Sequence, residues 1–283
     1  MNINKNKSII LMLVSSFTFS SMQIIVKLLP NIPLIEKVFF RNLISILVAF
    51  YILRKNNLSF FGLQENRKYL FYRFIFGFAG IILFFYATTQ MLTADAAMLN
   101  KLSPIFVTVL AHFFLKERIN KIQITSLIIS LIGASLVIKP EFNSAVLPAI
   151  AGLLSAVVSG AAYIFITSIG KKENVYTIVF FFSFFSALSC LPFFYFEFII
   201  PNIYELSLLL LLGLLAAIGQ VALTCAYNNC QASEISIYDY SNIVFSFILA
   251  YIFLSEIPDI LSTIGGTLII SASFILFLYN KRN

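Results

Sequence analysis

Ten apolar segments follow one another along the chain, separated by short stretches of charged or turn-forming residues. Each segment is close to the roughly 20 apolar residues that a helix needs to cross a hydrocarbon core of about 30 Å. Only 11% of the 283 residues are charged, against about 25% in soluble domains, which is too few to cover a water-facing surface. The sequence therefore predicts an all-α integral membrane protein with ten transmembrane helices. The segments are 8–29, 35–53, 69–90, 94–115, 121–139, 147–169, 175–197, 205–229, 232–254 and 259–279.

The distribution of Lys and Arg predicts the orientation of these helices. If the N-terminus is inside, the cytoplasmic side receives most of the basic residues, while the opposite loops hold only Lys139. Cytoplasmic loops of membrane proteins carry this excess of positive charge, so we expect both termini to be cytoplasmic. Because the basic residues flank apolar segments, the net charge of +7 does not indicate a nucleic-acid partner. The bias toward Phe, Ile, Asn and Lys, without Trp, is typical of an AT-rich bacterial genome, and we expect a multi-pass protein of the bacterial cytoplasmic (inner) membrane.

An internal repeat constrains the arrangement further. Residues 94–117 align without gaps on residues 233–256, at an offset of 139. Because five helices is an odd number, the second unit must enter the membrane from the opposite face. The sequence therefore predicts two inverted five-helix repeats, residues 8–139 and 147–279, in one membrane domain. Inverted repeats recur in transporters, where the substrate site lies near the midplane between them.

Several motifs resemble the EamA-type members of the drug/metabolite transporter superfamily, and the likeness covers nearly the whole chain. The resemblance implies ten helices in two inverted repeats around a central cavity. It also implies transport of solutes such as amino acids, nucleotide-like metabolites or drugs without ATP hydrolysis. One departure is Ile243, which replaces Pro104 in the second repeat, so the halves need not bend alike. The motifs are Arg73-Phe-Ile-Phe-Gly-Phe-Ala-Gly80, Phe85-Tyr86-Ala87, Ala94-Asp95-Ala96-Ala97-Met98-Leu99, Leu102-Ser103-Pro104-Ile105-Phe106, Leu115-Lys116-Glu117, Tyr238-Asp239-Tyr240-Ser241 and Phe253-Leu254-Ser255-Glu256.

Two charges within the predicted helices are the strongest candidates for a substrate site. A charge at the centre of a membrane helix costs about 2.5–3.5 kcal/mol, so it persists where a cavity or a partner stabilises it. Lys101 and Asp239 each lie about 10 Å from the start of helices 4 and 9. Inversion places them about 10 Å apart in depth, on opposite sides of the midplane, where they would contact opposite ends of a substrate such as a zwitterion. The competing interpretation is a buried pair, or separate polar contacts, holding helices 4 and 9 together.

Other polar and aromatic residues extend this candidate cavity. Arg41, in the outer half of helix 2, either attracts an anionic group or extends to the outer interface. Arg73 is expected to extend to the inner interface, as long basic side chains near helix ends do. Asp239 is the first choice for a protonatable group if transport is coupled to protons. The further cavity candidates are Tyr238, Tyr240, Asn242, Asn100 and Tyr86.

The remaining buried or helix-terminal groups have structural interpretations. Clusters of small residues predict close helix packing in lipid, namely Gly77 with Gly80, Ser155-Ser159-Gly160, Gly213 with Gly219, and Gly265-Gly266. Helices 4 and 9 begin with Asp95 and Glu234, carboxylates that a helix N-terminus favours. The same helices end with Glu117 and Glu256, which are expected to anchor the following turns. Three charges around helices 1 and 2 are expected to be interfacial, namely Lys27, Glu36 and Lys37.

The leading functional prediction is a secondary transporter of small metabolites, such as amino acids or related zwitterionic or charged solutes. It would work by alternating access, driven by the solute gradient or by a coupled proton. The alternative is a membrane-embedded enzyme acting on lipids or lipid-linked substrates, although the loops are short and lack catalytic motifs. No phosphate-binding loop, nucleophile elbow or paired metal-binding histidines occur, and no cofactor or metal is expected. The expected partners are a small solute and the lipid bilayer, and the oligomeric state stays open.

Overall fold

Long helices joined by short connectors make up the part of the chain that the computed structural model describes, which comprises residues 2–103, 105–107, 109–110, 121–138, 146–229 and 238–282. These residues contain no β-strand. Pro104, Glu117 and Glu234 lie outside the described residues. The helices are α1 (Asn2–Leu28), α2 (Leu34–Lys55), α3 (Arg67–Gln90), α4 (Thr93–Asn100), α5 (Lys121–Ile138), α6 (Val146–Ile169), α7 (Val175–Cys190), α8 (Ile203–Asn229), α9 (Ser241–Leu254) and α10 (Ile260–Arg282).

Helix length and composition support a membrane protein. Within the described ranges, five helical stretches are long and apolar enough to cross a bilayer, and three shorter apolar helices accompany them. The prediction of an all-helical membrane architecture is confirmed at this level, while the count of ten spans stays a prediction. The five stretches are Asn6–Leu28, Gln64–Gln90, Val146–Ile169, Val175–Glu197 and Ile203–Asn229, and the shorter helices are Ile124–Val137, Ser241–Leu254 and Ile260–Ala272.

The pairing of helices follows a regular pattern. The most extensive contacts join α3 with α6 and α1 with α8, and α5 packs against α10 and α2 against α7. Each helix of the first five corresponds to the helix five places later, so α1 corresponds to α6 and α3 to α8. Under this correspondence the α3–α6 pair matches the α8–α1 pair. The α2–α8 pair likewise matches α7–α3 and the α1–α9 pair matches α6–α4, and all of these pairs are in contact. The contact pattern is consistent with two five-helix units in which corresponding helices make corresponding contacts.

Glycines allow several of these helices to approach closely. A Cβ atom at Gly133 of α5 would lie 2.7 Å from the carbonyl oxygen of Gly265 in α10, and one at Gly265 would lie 2.5 Å from that of Gly133. A Cβ at Gly213 of α8 would lie 2.7 Å from the carbonyl oxygen of Phe40 in α2. Small residues at such crossings let helix backbones pack in lipid, where no hydrophobic force drives association. The predicted packing role is confirmed for Gly213 and Gly265.

The helices expected at 94–115 and 232–254 are not regular throughout. Helix α4 ends at Asn100, and Lys101 and Leu102 form a turn before helical geometry resumes. In the second half, Tyr240 forms a turn directly before α9. The offset of 139 places Lys101 on Tyr240, so the two halves interrupt their helices at equivalent positions. The interruption is therefore a shared feature of both halves and lies beside the candidate site.

Candidate functional site

A cavity of about 80 Å³ lies between helices of both halves. That volume exceeds the roughly 10–15 Å³ that a single water molecule needs. Its walls combine aromatic and aliphatic side chains with a group of polar ones. The polar side chains include the three cations Arg41, Arg73 and Lys101 and the four amides Gln23, Asn100, Gln220 and Asn242.

Lys101 and Asp239 form a direct ion pair. The Nζ atom of Lys101 lies 2.8 Å from Oδ2 of Asp239, and the side chains are only 6% and 0% exposed. The estimate of about 10 Å in depth left direct contact open; the side chains do touch, and the interpretation as a buried pair describes their contact. Depth along a helix axis does not account for the flexible four-carbon stem of lysine, nor for the turn that begins at Lys101. Lys101 lines the cavity, and Asp239 lies behind it.

The residue pairs around this ion pair are related by the internal repeat. Asn100 donates a hydrogen bond from Nδ2 to Ser155 Oγ, at 2.9 Å. The offset of 139 converts these residues into Asp239 and Ser16, and Ser16 Oγ contacts Asp239 Oδ1 at 3.5 Å. Equivalent positions thus make equivalent contacts, but the first half has a neutral amide where the second half has a carboxylate. The ion pair between Lys101 and Asp239 therefore has no charged counterpart at the positions that the repeat relates to it.

Asn242 holds α9 against α1. Its Nδ2 donates to Ser16 O at 2.9 Å and to Ser20 Oγ at 2.7 Å, and its Oδ1 lies 3.4 Å from Gln23 Nε2. Ser246, one turn later, adds a hydrogen bond to Gln23 Oε1 at 3.1 Å. Asn242 lines the cavity as expected, and its amide group is already engaged by the neighbouring helix.

Arg41 points into the protein interior. It is 4% exposed, so it does not extend to the outer interface. Its guanidinium donates to Gln220 Oε1 at 3.3 Å and to Asn42 Oδ1 at 3.2 Å, and its Cζ lies 6.0 Å from the ring centroid of Phe19. No carboxylate of the described chain lies within ion-pair distance of it. Among the described residues, its contacts are with neutral side-chain amides and aromatic rings.

Arg73 is a cavity residue that the sequence analysis placed at the membrane interface. It is 4% exposed, and its Cζ lies 4.1 Å from the ring centroid of Phe182. Gly77, one helical turn later, leaves the space for this side chain, because a Cβ there would overlap the guanidinium. The expectation of an interfacial Arg73 is therefore wrong, and Gly77 leaves room for the guanidinium as well as for the ring of Phe182 in α7. An Arg followed four residues later by Gly on one helix face was the signal available in the sequence.

The aromatic side chains of the cavity differ from those expected. Phe19, Phe182 and Tyr163 line it, and Tyr163 stacks on Tyr227 with ring centroids 5.3 Å apart. The three predicted tyrosines do not line the cavity: Tyr86 is half-buried on α3, Tyr240 packs in a buried cluster with Met98 and Leu99, and Tyr238 packs beside Met12 and Leu70. Nearness to Asp239 along the chain did not predict which aromatic rings face the cavity.

Glu256 connects the two halves instead of anchoring its own turn. Its Oε2 accepts a hydrogen bond from the backbone N–H of Thr93 at 2.7 Å, at the start of α4. Its Oε1 lies 2.5 Å from Lys27 Nζ, which also donates to Met91 O at 2.6 Å. The expected turn-anchoring role of Glu256 is therefore wrong. A carboxylate from the end of α9 instead satisfies an unpaired N–H of α4, where the helix dipole favours negative charge.

Three further charges expected at the interface or at a helix start have interior partners. Lys37 is 2% exposed and donates to Val26 O at 3.0 Å, and Glu36 is fully buried with Oε2 accepting from Ile199 N at 3.3 Å. Asp95 lies in the first turn of α4 as expected, and it accepts a hydrogen bond from Ser262 Oγ of α10 at 3.1 Å. These contacts are structural because none of the three residues lines the cavity.

The helical bundle, its cavity with polar and cationic side chains and its apolar exterior define a multi-pass membrane protein. The sequence matches the EamA-like transporter family over residues 6–139 and 146–278. The chain belongs to this family. The resemblance noted from the motifs is thereby confirmed.

Individual relatives agree with this assignment. The chain is 33% identical to the "Pseudopaline exporter CntI" of Pseudomonas aeruginosa strain UCBPP-PA14, over 95% of both chains. It is 28% identical to the "S-adenosylmethionine uptake transporter" of Rickettsia prowazekii over 74% of this chain and 73% of that protein, and 25% identical to human "Solute carrier family 35 member G1" over 92% and 76%. A solved crystal structure shares its fold with a TM-score of 0.74 at 16% identity, covering 99% of this chain and 100% of that one. The family and these relatives are transporters, so the prediction of a membrane transporter and not an enzyme is confirmed.

Proposed function

We propose that this protein is a secondary transporter that carries a small charged metabolite by alternating access. The observation that carries the proposal is the buried cavity, which polar and cationic side chains from both halves line. Two relatives are named as an exporter of pseudopaline and an uptake transporter of S-adenosylmethionine, which are small solutes, and this supports the same general activity here. Rocking of one repeat against the other around such a site is a common mechanism for transporters with inverted repeats.

The proposal includes ten membrane spans in two inverted repeats, residues 8–139 and 147–279. The exchange of helix pairs described above supports this arrangement, as does the equivalence of the Asn100–Ser155 and Asp239–Ser16 contacts. We further propose that the protein lies in a bacterial cytoplasmic membrane with both termini inside. Cysteines placed before Ser8 and after Tyr279, in a background without native cysteines, should react with impermeant reagents from one side only, and from the same side.

The Lys101–Asp239 pair is the proposed coupling element between the halves. Lys101 follows α4 in the first half, and Asp239 precedes α9 in the second, so separation of these helices must break the pair. Removing the partner of a buried charge costs roughly 3–5 kcal/mol. A separated state therefore needs a replacement for each partner, such as a proton on Asp239 and a substrate group beside Lys101. Asp239 is accordingly the proposed protonatable group.

Solute flux into proteoliposomes tests the proposal. The purified protein should move a labelled substrate across the bilayer without chemical change, and Lys101→Met and Asp239→Asn should each reduce the rate at equal incorporation. Lys55→Met, which removes an exposed lysine at the end of α2, is the matched control and should transport normally. Normal transport by both cavity variants would show that the pair has no part in transport.

A further inference from the structure

We propose that Arg41 and Arg73 form a binding site for a solute with two anionic oxygen groups, carboxylates in the first instance. The inference names the substrate class of the cavity and so rests on the proposed transport function. It starts from a charge imbalance. Of the three cations lining the cavity, Lys101 is neutralised by Asp239 at 2.8 Å, whereas neither arginine has an ion-pair partner in the described part of the chain.

The buried carboxylates nearby do not supply the missing negative charge. Glu256 pairs with Lys27, Glu36 accepts a hydrogen bond from Ile199, and Asp95 accepts one from Ser262. Within the described part of the chain, the two guanidinium charges of these 4% exposed residues therefore remain unbalanced. Burying a charge without a partner is costly, and an anion in the cavity would lower that cost. Two positive charges are balanced by a solute that carries two negative ones.

The hydrogen-bonding capacity of the arginines leads to the same inference. A guanidinium has five N–H donors. Arg41 uses its Nη atoms on two neutral side-chain amides, and its buried Nε has no hydrogen-bond partner. Arg73 makes no hydrogen bond to any described residue, and its buried Nε is likewise without a partner. Most donors of Arg73 are therefore available to a ligand.

Phe182 brings the two guanidiniums together. The Cζ atoms of Arg41 and Arg73 lie 5.8 Å and 4.1 Å from its ring centroid, so the two carbons are at most about 10 Å apart. Stacking on a ring uses the face of a guanidinium and leaves its N–H edge for the two parallel hydrogen bonds that carboxylates accept. Apolar side chains that also line the cavity, such as Ile81 and Phe84, would contact the carbon skeleton of the solute.

A charge series of probes tests the inference on the purified full-length protein. Glutarate, its monoamide and its diamide have nearly the same shape but carry two, one and no negative charges. Succinate and adipate, each with its diamide, extend the series to shorter and longer spacings. A ligand that binds the folded state raises the unfolding temperature, so we expect at least one diacid to raise it more than its monoamide or diamide. If every diamide stabilises the protein as well as its diacid, or if no diacid stabilises it, the inference is wrong.

Two arginine variants link the charge preference to this site. Arg41→Gln and Arg73→Gln should each weaken diacid binding by about tenfold or more, the usual loss for a charged hydrogen bond, while Arg73→Lys keeps the charge and should retain part of the preference. Arg54→Gln, an exposed arginine on the same helix as Arg41, is the control and should bind as the wild type does. An unchanged preference in Arg73→Gln would overturn the assignment. Should a variant fail to fold, the wild-type charge series still decides the substrate class.

Flux measurements separate this inference from the proposed function. Diacid binding without flux in proteoliposomes would support the site and contradict the transport proposal. Flux of a neutral solute that diacids do not inhibit would support transport and contradict the diacid site. The two proposals therefore fail through different results.

Discussion

Lys101 Nζ lies 2.8 Å from Asp239 Oδ2, and this contact joins the end of α4 to the start of α9. The pair is buried and is next to the cavity that both halves line. The residues that correspond to it through the repeat, Tyr240 and Asn100, are both neutral. The ion pair is therefore a charged contact between α4 and α9 that the repeat does not duplicate.

Single replacements of this pair should destabilise the protein more than the double replacement does. Lys101→Met leaves Asp239 as a buried charge without its partner, and Asp239→Asn does the same to Lys101, with a cost of roughly 3–5 kcal/mol each. The double variant removes both charges and should recover much of that loss. Thermal unfolding of the four proteins in one detergent measures the effect. Additive losses in the double variant would contradict the direct pairing.

Gly77→Ala should reproduce the effect of Arg73→Gln on ligand binding. The new methyl group would occupy the position of the Arg73 guanidinium and would lie 2.9 Å from the Phe182 ring, so Arg73 must move. Binding of a diacid, measured by thermal shift, should weaken by about tenfold. Gln90→Ala, at an exposed position on the same helix as Gly77, is the control and should bind the diacid as the wild type does. Wild-type diacid binding by Gly77→Ala would contradict the described position of Arg73.

Gly133→Ala should weaken the crossing of α5 and α10. The added Cβ would lie 2.7 Å from the carbonyl oxygen of Gly265 and 3.0 Å from Ile269 Cγ1. Because one of these atoms belongs to the backbone, the helices must separate, and overpacking of this kind costs about 1–3 kcal/mol. The unfolding temperature should fall relative to Ser135→Ala, an exposed position on the same helix. Equal unfolding temperatures for the two variants would show that the crossing is looser than described.

Replacements of Glu256 should separate its two contacts. Glu256→Gln loses the ion pair with Lys27, worth about 1 kcal/mol or less for a partly exposed pair, but its amide oxygen can still accept from Thr93 N. Glu256→Ala loses both contacts, and the absent cap should cost about 1 kcal/mol more. Thermal unfolding should rank the proteins wild type, Glu256→Gln, Glu256→Ala. The control is Glu197→Ala, an exposed site, and a Glu256→Ala protein as stable as this control would contradict the contact with α4.

Several features of the fold could be predicted from sequence because they depend on local properties. The apolar segment 35–53 corresponds to the helix Leu34–Lys55, and the segment 147–169 corresponds to Val146–Ile169. The segment 175–197 corresponds to the helical stretch Val175–Glu197, within which α7 ends at Cys190 and short helical turns follow it. Apolar length indicates a span, but it does not report where helical hydrogen bonding changes within one.

The sequence by itself determined the membrane class, the transporter family and the candidate charges at Lys101, Asp239 and Arg41, because segment length, hydropathy and motif spacing are properties of the chain alone. Only the tertiary structure decided that Lys101 reaches Asp239, that Arg73 lies on Phe182 inside the bundle and that Glu256 binds the start of α4. The physical reason is that each of these facts depends on the rotation of one helix relative to another and on the reach of a long side chain. In a bundle whose helices are apolar on nearly every face, hydrophobic periodicity does not specify that rotation.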